Sequence, residues 1–213
     1  MTKIILSLET EESLDIFPYL EKYVDGIKIN HLLWNELDFN VEEGKELFVD
    51  LKLWDTPNTV KTVVERIIKK GGTMTTISTF NNEKVFDELE QYKDDIKLLA
   101  VTYLTSWNRD EQYQICREMP DFMWRRHLSR VKGFYGVVCS AQDIGMLSGA
   151  DKSLKRVCPG ITYGNNNSGQ VRTTTPKEAQ DLGADYIVIG RAITESENPL
   201  ETLKQIRNSP ITQ

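Results

Sequence analysis

Short β-rich runs alternate with segments of helical periodicity along this chain, and that alternation limits its fold more than any other feature. The runs lie at residues 4–8, 26–29, 47–53, 74–77, 97–104, 135–139, 154–158 and 185–189. Between them apolar residues recur at helical spacing, most clearly at 59–69, where Val60, Val63, Val64, Ile67 and Ile68 share a face, and at 85–92. Eight strands, each followed by a helix within 213 residues, predict an α/β fold: a closed parallel (β/α)8 TIM barrel forming a single domain over 1–213. An open parallel sheet with fewer strands is the alternative. No linker rich in Pro, Gly or Ser divides the chain. Two stretches depart from the regular pattern: 108–132, which reads as helical, and 161–174, a long polar loop rich in Asn and Gly. A loop of that length in a small domain is usually functional or disordered.

Charge and composition exclude several classes of function. A net charge of −6 argues against a nucleic-acid surface, which needs clustered Lys and Arg, but leaves room for a locally basic pocket that takes a small anion. Lys3, Glu9, Glu11, Glu12 and Asp15 interrupt the start of the chain, so no signal peptide is read there. No apolar run approaches the roughly 18 residues of a membrane span, and a soluble protein without membrane contacts is expected. Cys116, Cys139 and Cys158 are odd in number and widely spaced, which fits a reducing cytoplasm and encodes neither a disulfide framework nor a zinc site. His31 and His127 lack ligand spacing, so no metal is assigned. Trp34, Trp54, Trp107 and Trp124 read as packing residues.

In a barrel of this kind the chemistry sits at the C-terminal ends of the strands. Those ends carry Glu9 on the first strand, Lys28 and Asn30 on the second, and Asp50, Lys52 and Asp55 at the third. Thr105 and Ser106 follow the fifth, Ser140 the sixth, Pro159 and Gly160 the seventh, Gly190 and Arg191 the eighth. Asp50 and Lys52 stand two residues apart on one strand and so face the same way, while Leu51 and Leu53 face the helices. Inward charge is costly unless paired or used. A structural ion pair is the plain reading of a lone D-x-K. Here, however, Lys28 adds a second cation, and Asp55 follows just before Pro57, a helix-starting residue, and Thr59. Charges about 4 Å apart attract by roughly 4 kcal/mol at an effective dielectric near 20, so such an array is expected to hold its members ionised. Lys52 is then suited to donate a proton. In the last third, Pro159-Gly160 and Gly190-Arg191 flank the loop containing Gln170, where this fold usually grips phosphate.

With these residues in view, the chain resembles the orotidine 5'-monophosphate decarboxylase family over nearly its whole length. Asp50-Leu-Lys52-Leu-Trp-Asp55-Thr-Pro-Asn-Thr59 is similar to the family's D-x-K-x-x-D-I-P-x-T signature. Gly136-Val-Val-Cys139-Ser140, Cys158-Pro-Gly160-Ile, Gln170-Val-Arg-Thr-Thr-Thr-Pro176 and Ile187-Val-Ile-Gly190-Arg191 match in order. The resemblance implies a cofactor-free decarboxylase completing UMP biosynthesis, in which Lys52 protonates C6 of the pyrimidine as CO2 departs and Asp50 crowds the substrate carboxylate. It implies a homodimer in which Asp55 and Thr59 complete the partner's site, with Asp55 and Lys28 near the ribose. Glu9 takes the ribose-contacting place, Thr105 or alternatively Ser106 meets the pyrimidine, and Pro159, Gln170, Gly190 and Arg191 belong to the phosphate end. The loop around Gln170 would be a lid ordered by phosphate. Departures are Glu9 where the family has Asp, Thr56 where it has Ile, and Ile77-Ser-Thr-Phe-Asn-Asn82 in place of a strand-four H-A-x-x-G. Thr173, Thr174 and Thr175 read as loop hydroxyls ahead of a helix. Two other functions share these features: a magnesium-dependent sugar-phosphate lyase of the hexulose-phosphate synthase type, whose members carry Glu in place of Lys28, and a catalytically silent nucleotide-binding dimer. A general aldolase or isomerase on the same fold is the residual alternative.

Overall fold

The computed structural model describes residues 2–34, 41–117, 120–149, 153–164 and 172–208. Eight strands, β1 (Lys3–Leu8), β2 (Gly26–Ile29), β3 (Glu46–Leu53), β4 (Met74–Ser78), β5 (Lys97–Val101), β6 (Gly136–Val138), β7 (Lys155–Cys158) and β8 (Tyr186–Ile189), pair in parallel and in sequence order. β8 pairs back onto β1, with Ile5 opposite Val188, so the sheet is a closed barrel as expected. The outer helices are α1 (Glu11–Leu20), α2 (His31–Trp34), α3 (Pro57–Lys69), α4 (Glu83–Leu89), α5 (Arg109–Cys116), α6 (Pro120–Leu128), α7 (Pro176–Asp181), α8 (Arg191–Thr194) and α9 (Pro199–Asn208).

Period-two alternation splits the apolar residues into two cores. Ile5, Phe48, Met74, Leu99, Val157, Tyr186 and Val188 fill the barrel interior. Their neighbours Leu6, Ile27, Leu47, Val49, Leu98 and Ile187 face outward under the helices, where Val60, Val64 and Ile67 of α3 meet them. At its first residue β2 crowds against β3. A Cβ on Gly26 would lie 2.3 Å from the Glu46 carbonyl oxygen, so only glycine lets β2 start against β3.

Several elements differ from the sequence reading for local reasons. β5 stops at Val101 rather than 104, because Tyr103 turns into a polar network behind the barrel mouth. α3 begins at Pro57, a ring pre-set for the first helical turn. The stretch 108–132 is two helices, since Arg117 takes a left-handed conformation (φ 55°) that ends α5. After β6 the connection is a 3-10 stretch, Ala141–Gly149, rather than an α-helix. Thr175 caps α7 reciprocally with Glu178, as a hydroxyl ahead of a helix should. Trp34 and Trp124 are packed, whereas Trp54 is 72% exposed and is no packing residue. Cys139, just after β6, and Cys158, the last residue of β7, are distant in sequence but buried neighbours, with sulfurs 3.9 Å apart and no disulfide between them. His127 is buried with Nδ1 against the Thr79 carbonyl and hydroxyl. Among the described residues no helix is long and apolar enough to cross a membrane.

Candidate active site

The C-terminal ends of the strands surround a cleft of about 270 Å³. Lys28, Asp50 and Lys52 form one side of it, Tyr103 to Ser106 another, and Pro159, Gly160 and Ile161 a third. Glu9, Gly190 and Arg191 close the ring next to β1. Ten residues singled out from the sequence therefore converge: Glu9, Lys28, Asp50, Lys52, Thr105, Ser106, Pro159, Gly160, Gly190 and Arg191.

Asp50 is the centre of the charged side. Its Oδ2 lies 2.9 Å from Lys52 Nζ and 3.5 Å from Lys28 Nζ, and its Oδ1 accepts the Thr76 hydroxyl at 2.8 Å. Burial alone would raise the Asp50 carboxyl, but the charges of Lys28 and Lys52, with hydrogen bonds from Lys52 and Thr76, outweigh it and hold the group below the usual carboxylate range. At these separations each pair attracts by about 5–6 kcal/mol before desolvation, at an effective dielectric near 20.

The strand that carries this pair is irregular where the chemistry lies. Val49 pairs with Thr75 and Leu53 with Ile77, so β3 spends two more residues than β4 over the same span. Lys52 takes up the excess in a left-handed conformation, φ 50°, which costs a non-glycine residue about 1–2 kcal/mol. Its N–H donates to Thr76 Oγ1 at 2.8 Å. One hydroxyl thus secures both the backbone of Lys52 and the carboxylate of Asp50. Leu51 and Leu53 pack outward, as the period of two requires.

Asp55 and Thr59 do not line the cleft of their own chain. Both are exposed: Asp55 Oδ1 accepts the Thr56 N–H at 2.6 Å, and the Thr59 hydroxyl meets that of Thr56 at 2.9 Å. The expected four-membered array is therefore a three-membered one within a single chain. Asn81 fixes the turn that presents Asp55, its Oδ1 accepting the Asp55 N–H at 3.2 Å and its amide donating to the Leu53 carbonyl at 2.8 Å. That is the work of the altered strand-four loop, to which the sequence reading assigned nothing.

Opposite, Gly160 is left-handed (φ 78°), and Ile161 bridges to Thr174. A Cβ on Gly190 would come 3.2 Å from Ser7 Cβ, so glycine allows β8 to turn into α8 against β1 and to present Arg191. The Ser7 hydroxyl donates to Glu9 Oε1 at 3.3 Å. Glu9 and Arg191 also border a second hollow of about 230 Å³ beside the N-terminal end of α1. Gln170 lies outside the described residues. Ser7, Tyr103, Val138, Ile161 and Val188 line the cleft without having been singled out; Val138 and Val188 were findable by alternation from Gly136 and Tyr186, whereas Tyr103 was hidden in an overlong strand.

The chain is similar to known proteins over nearly its whole length. The family model described as "Orotidine 5'-phosphate decarboxylase / HUMPS family" matches residues 2–206. The chain is 32% identical to orotidine 5'-phosphate decarboxylase of Dictyoglomus thermophilum, covering 95% of this chain and 88% of that protein. It is 34% identical to the Actinobacillus pleuropneumoniae enzyme of the same name, covering 97% and 98%. A crystal structure of orotidine 5'-phosphate decarboxylase from Lactobacillus acidophilus superposes with a TM-score of 0.74 at 26% identity, over 97% of this chain and 98% of that one.

Proposed function

The chain belongs to the orotidine 5'-phosphate decarboxylase / HUMPS family, and we propose that it is the decarboxylase, converting orotidine 5'-monophosphate to uridine 5'-monophosphate in the last step of UMP biosynthesis. The observation that carries this reading is the Lys28–Asp50–Lys52 array on the cleft wall. Loss of CO2 from C6 of the pyrimidine leaves the bonding electron pair on that carbon, with no cofactor to accept it. Lys52 supplies a fixed cation toward that pair and then one of its N–H protons, forming the C6–H bond. Asp50 holds Lys52 in place and, beside the substrate carboxylate, raises the energy of the bound ground state relative to the transition state, where that charge leaves as CO2.

The rest of the cleft suits a nucleotide. Lys28 and Glu9 stand where ribose hydroxyls would lie, and Thr105 or Ser106 offers hydroxyls to the pyrimidine edge. Pro159, Gly190 and Arg191, with Gln170, take the phosphate, and the segment around Gln170 acts as its lid. Asp55 and Thr59, exposed beside the mouth, complete the site of a partner subunit in a homodimer. The buried thiols of Cys139 and Cys158 favour a reducing compartment, the cytoplasm. A magnesium-dependent sugar-phosphate lyase is disfavoured because two ammonium groups flank Asp50 and would repel a divalent cation.

The test is the ultraviolet absorbance of orotidine 5'-monophosphate with purified protein, EDTA present and no metal added, alongside Lys52→Ala. The expected result is loss of the orotate signal with the wild type and a rate at least about 10³-fold lower with the variant, the magnitude of losing a central electrostatic group and proton donor. Saturable nucleotide binding without turnover points to a silent binder, and turnover of a sugar phosphate only with magnesium to the lyase.

A further inference from the structure

Behind the cleft wall a buried polar network joins four chain segments and takes no part in the chemistry above. Asp143, 1% exposed in the 3-10 stretch after β6, receives both arms of the Arg172 guanidinium, Nη1 donating to Oδ2 at 2.9 Å and Nη2 to Oδ1. The same carboxylate accepts the Tyr103 hydroxyl at 3.3 Å. The Tyr103 oxygen in turn accepts the indole N–H of Trp124, on α6, at 2.9 Å, and the two rings pack edge to face with centroids 5.1 Å apart. Burial pushes the Tyr103 phenol well above its ordinary value, with the Asp143 charge adding to the effect, so its hydroxyl remains a donor.

Two walls of the cleft hang from this network. Tyr103 lines the cleft and lies two residues before Thr105. Arg172 lies two residues before Thr174, whose N–H donates to the Gly160 carbonyl at 3.1 Å and whose own carbonyl accepts the Thr162 N–H at 3.0 Å. Gln142, next to Asp143, donates to the Thr173 carbonyl at 3.2 Å. A displacement of Arg172 therefore moves Gly160 and Ile161 on one wall and Tyr103 on the other. A buried ion pair is a poor source of net stability, since desolvation offsets the attraction, but a bidentate fork fixes geometry in a way apolar packing does not.

We propose that Arg172 and Asp143 are positioning residues that set the spacing between the Tyr103–Ser106 wall and the Gly160–Ile161 wall, and with it the grip on the nucleotide. The inference rests on the decarboxylase reading for the identity of the ligand. Lys52 and Asp50 belong to the opposite side of the barrel and are untouched, so the effect falls on KM more than on kcat.

The experiment compares wild type with Arg172→Met, Arg172→Lys and Tyr103→Phe. It reads kcat and KM for orotidine 5'-monophosphate, Kd for uridine 5'-monophosphate, and Trp124 fluorescence against a Trp124→Phe background. Misplacing a binding wall by about 1 Å costs on the order of 10²-fold. Arg172→Met is accordingly expected to raise KM and Kd by about 10- to 100-fold, to leave kcat within about fivefold, and to shift the Trp124 signal. Tyr103→Phe moves the same quantities less, and Arg172→Lys recovers part of the loss because a point charge replaces the fork. A lower Tm in Arg172→Met with KM and Kd within twofold of wild type would overturn the proposal in favour of a purely structural pair. Should that variant not fold, unchanged KM and Kd in both Tyr103→Phe and Arg172→Lys overturn it equally. A wild type that binds uridine 5'-monophosphate but releases no CO2 defeats the decarboxylase reading alone, and the Kd series still decides the positioning role.

Discussion

At the scale of single residues, Thr76 matters more than any sequence motif suggests. Its hydroxyl accepts from the Lys52 N–H and donates to Asp50 Oδ1, both at 2.8 Å, so it ties the strained backbone of one residue to the carboxylate of the other. Thr76→Val preserves the shape and removes both bonds, so the Lys52 N–H and Asp50 Oδ1 lose this partner while Asp50 Oδ2 keeps its two lysines. A loss of about 1–3 kcal/mol in urea denaturation is expected, with kcat lowered by about 10- to 100-fold, while Thr76→Ser keeps the hydroxyl and stays within about threefold of wild type. Asp50 adds a pH signature. Its folded-state value lies below the unfolded 3.8, so the stability it contributes is complete above that value and is lost as pH falls through the folded one. The stability of wild type relative to Asp50→Asn, measured by denaturation at pH 7 and pH 3, should therefore fall on the acid side. A difference independent of pH would mean that Asp50 is not held ionised by its neighbours.

At the scale of elements, legibility followed periodicity. All eight strands were readable because each is a short apolar run between helical segments, and their ends carried the charged and polar residues that line the cleft. The alternation of Asp50 and Lys52 toward one face was also readable, but the two-residue irregularity between Val49 and Leu53 was not, since nothing in Asp-Leu-Lys marks a left-handed residue. Strand five was read too long because Tyr103 and Leu104 continue its apolar character while tertiary hydrogen bonds take the backbone elsewhere. The Arg172–Asp143 pair spans 29 positions, and no local pattern signals it. The packing of β2 on β3 gives a sharper element-level test. Gly26 has the Glu46 backbone within 2.3 Å of where a Cβ would stand, so Gly26→Ala must push β2 away from β3 and carry Lys28, two residues on, out of reach of Asp50. A destabilisation above about 3 kcal/mol in urea is expected, the range of severe overpacking against backbone. An unchanged midpoint would show that the two strands separate freely at that end.

At the scale of the whole molecule, the mouth of the barrel exposes groups that do not line the cleft of their own chain. Trp54 is 72% exposed beside Asp55 at the end of β3, and Phe80, 39% exposed, follows β4. Large apolar side chains grouped on one edge commonly mark an interaction surface. A two-fold dimer placing this edge against a second copy would bury Trp54 and deliver Asp55 and Thr59 to the neighbouring cleft. The consequence is a complementation that no monomer can give. On this arrangement Lys52→Ala and Asp55→Ala should each be inactive alone, but in a mixture that exchanges subunits, half of the dimers would be hybrids holding one site with both residues intact. Recovery of about one quarter of wild-type activity is then expected at equal concentrations of the two variants. Trp54→Glu, which introduces charge into the buried face, should halve the mass in sedimentation to that of the 24.5 kDa chain and abolish the recovery. If subunits exchange and no activity returns, Asp55 serves its own chain or none, and the exposed edge must be explained by another partner.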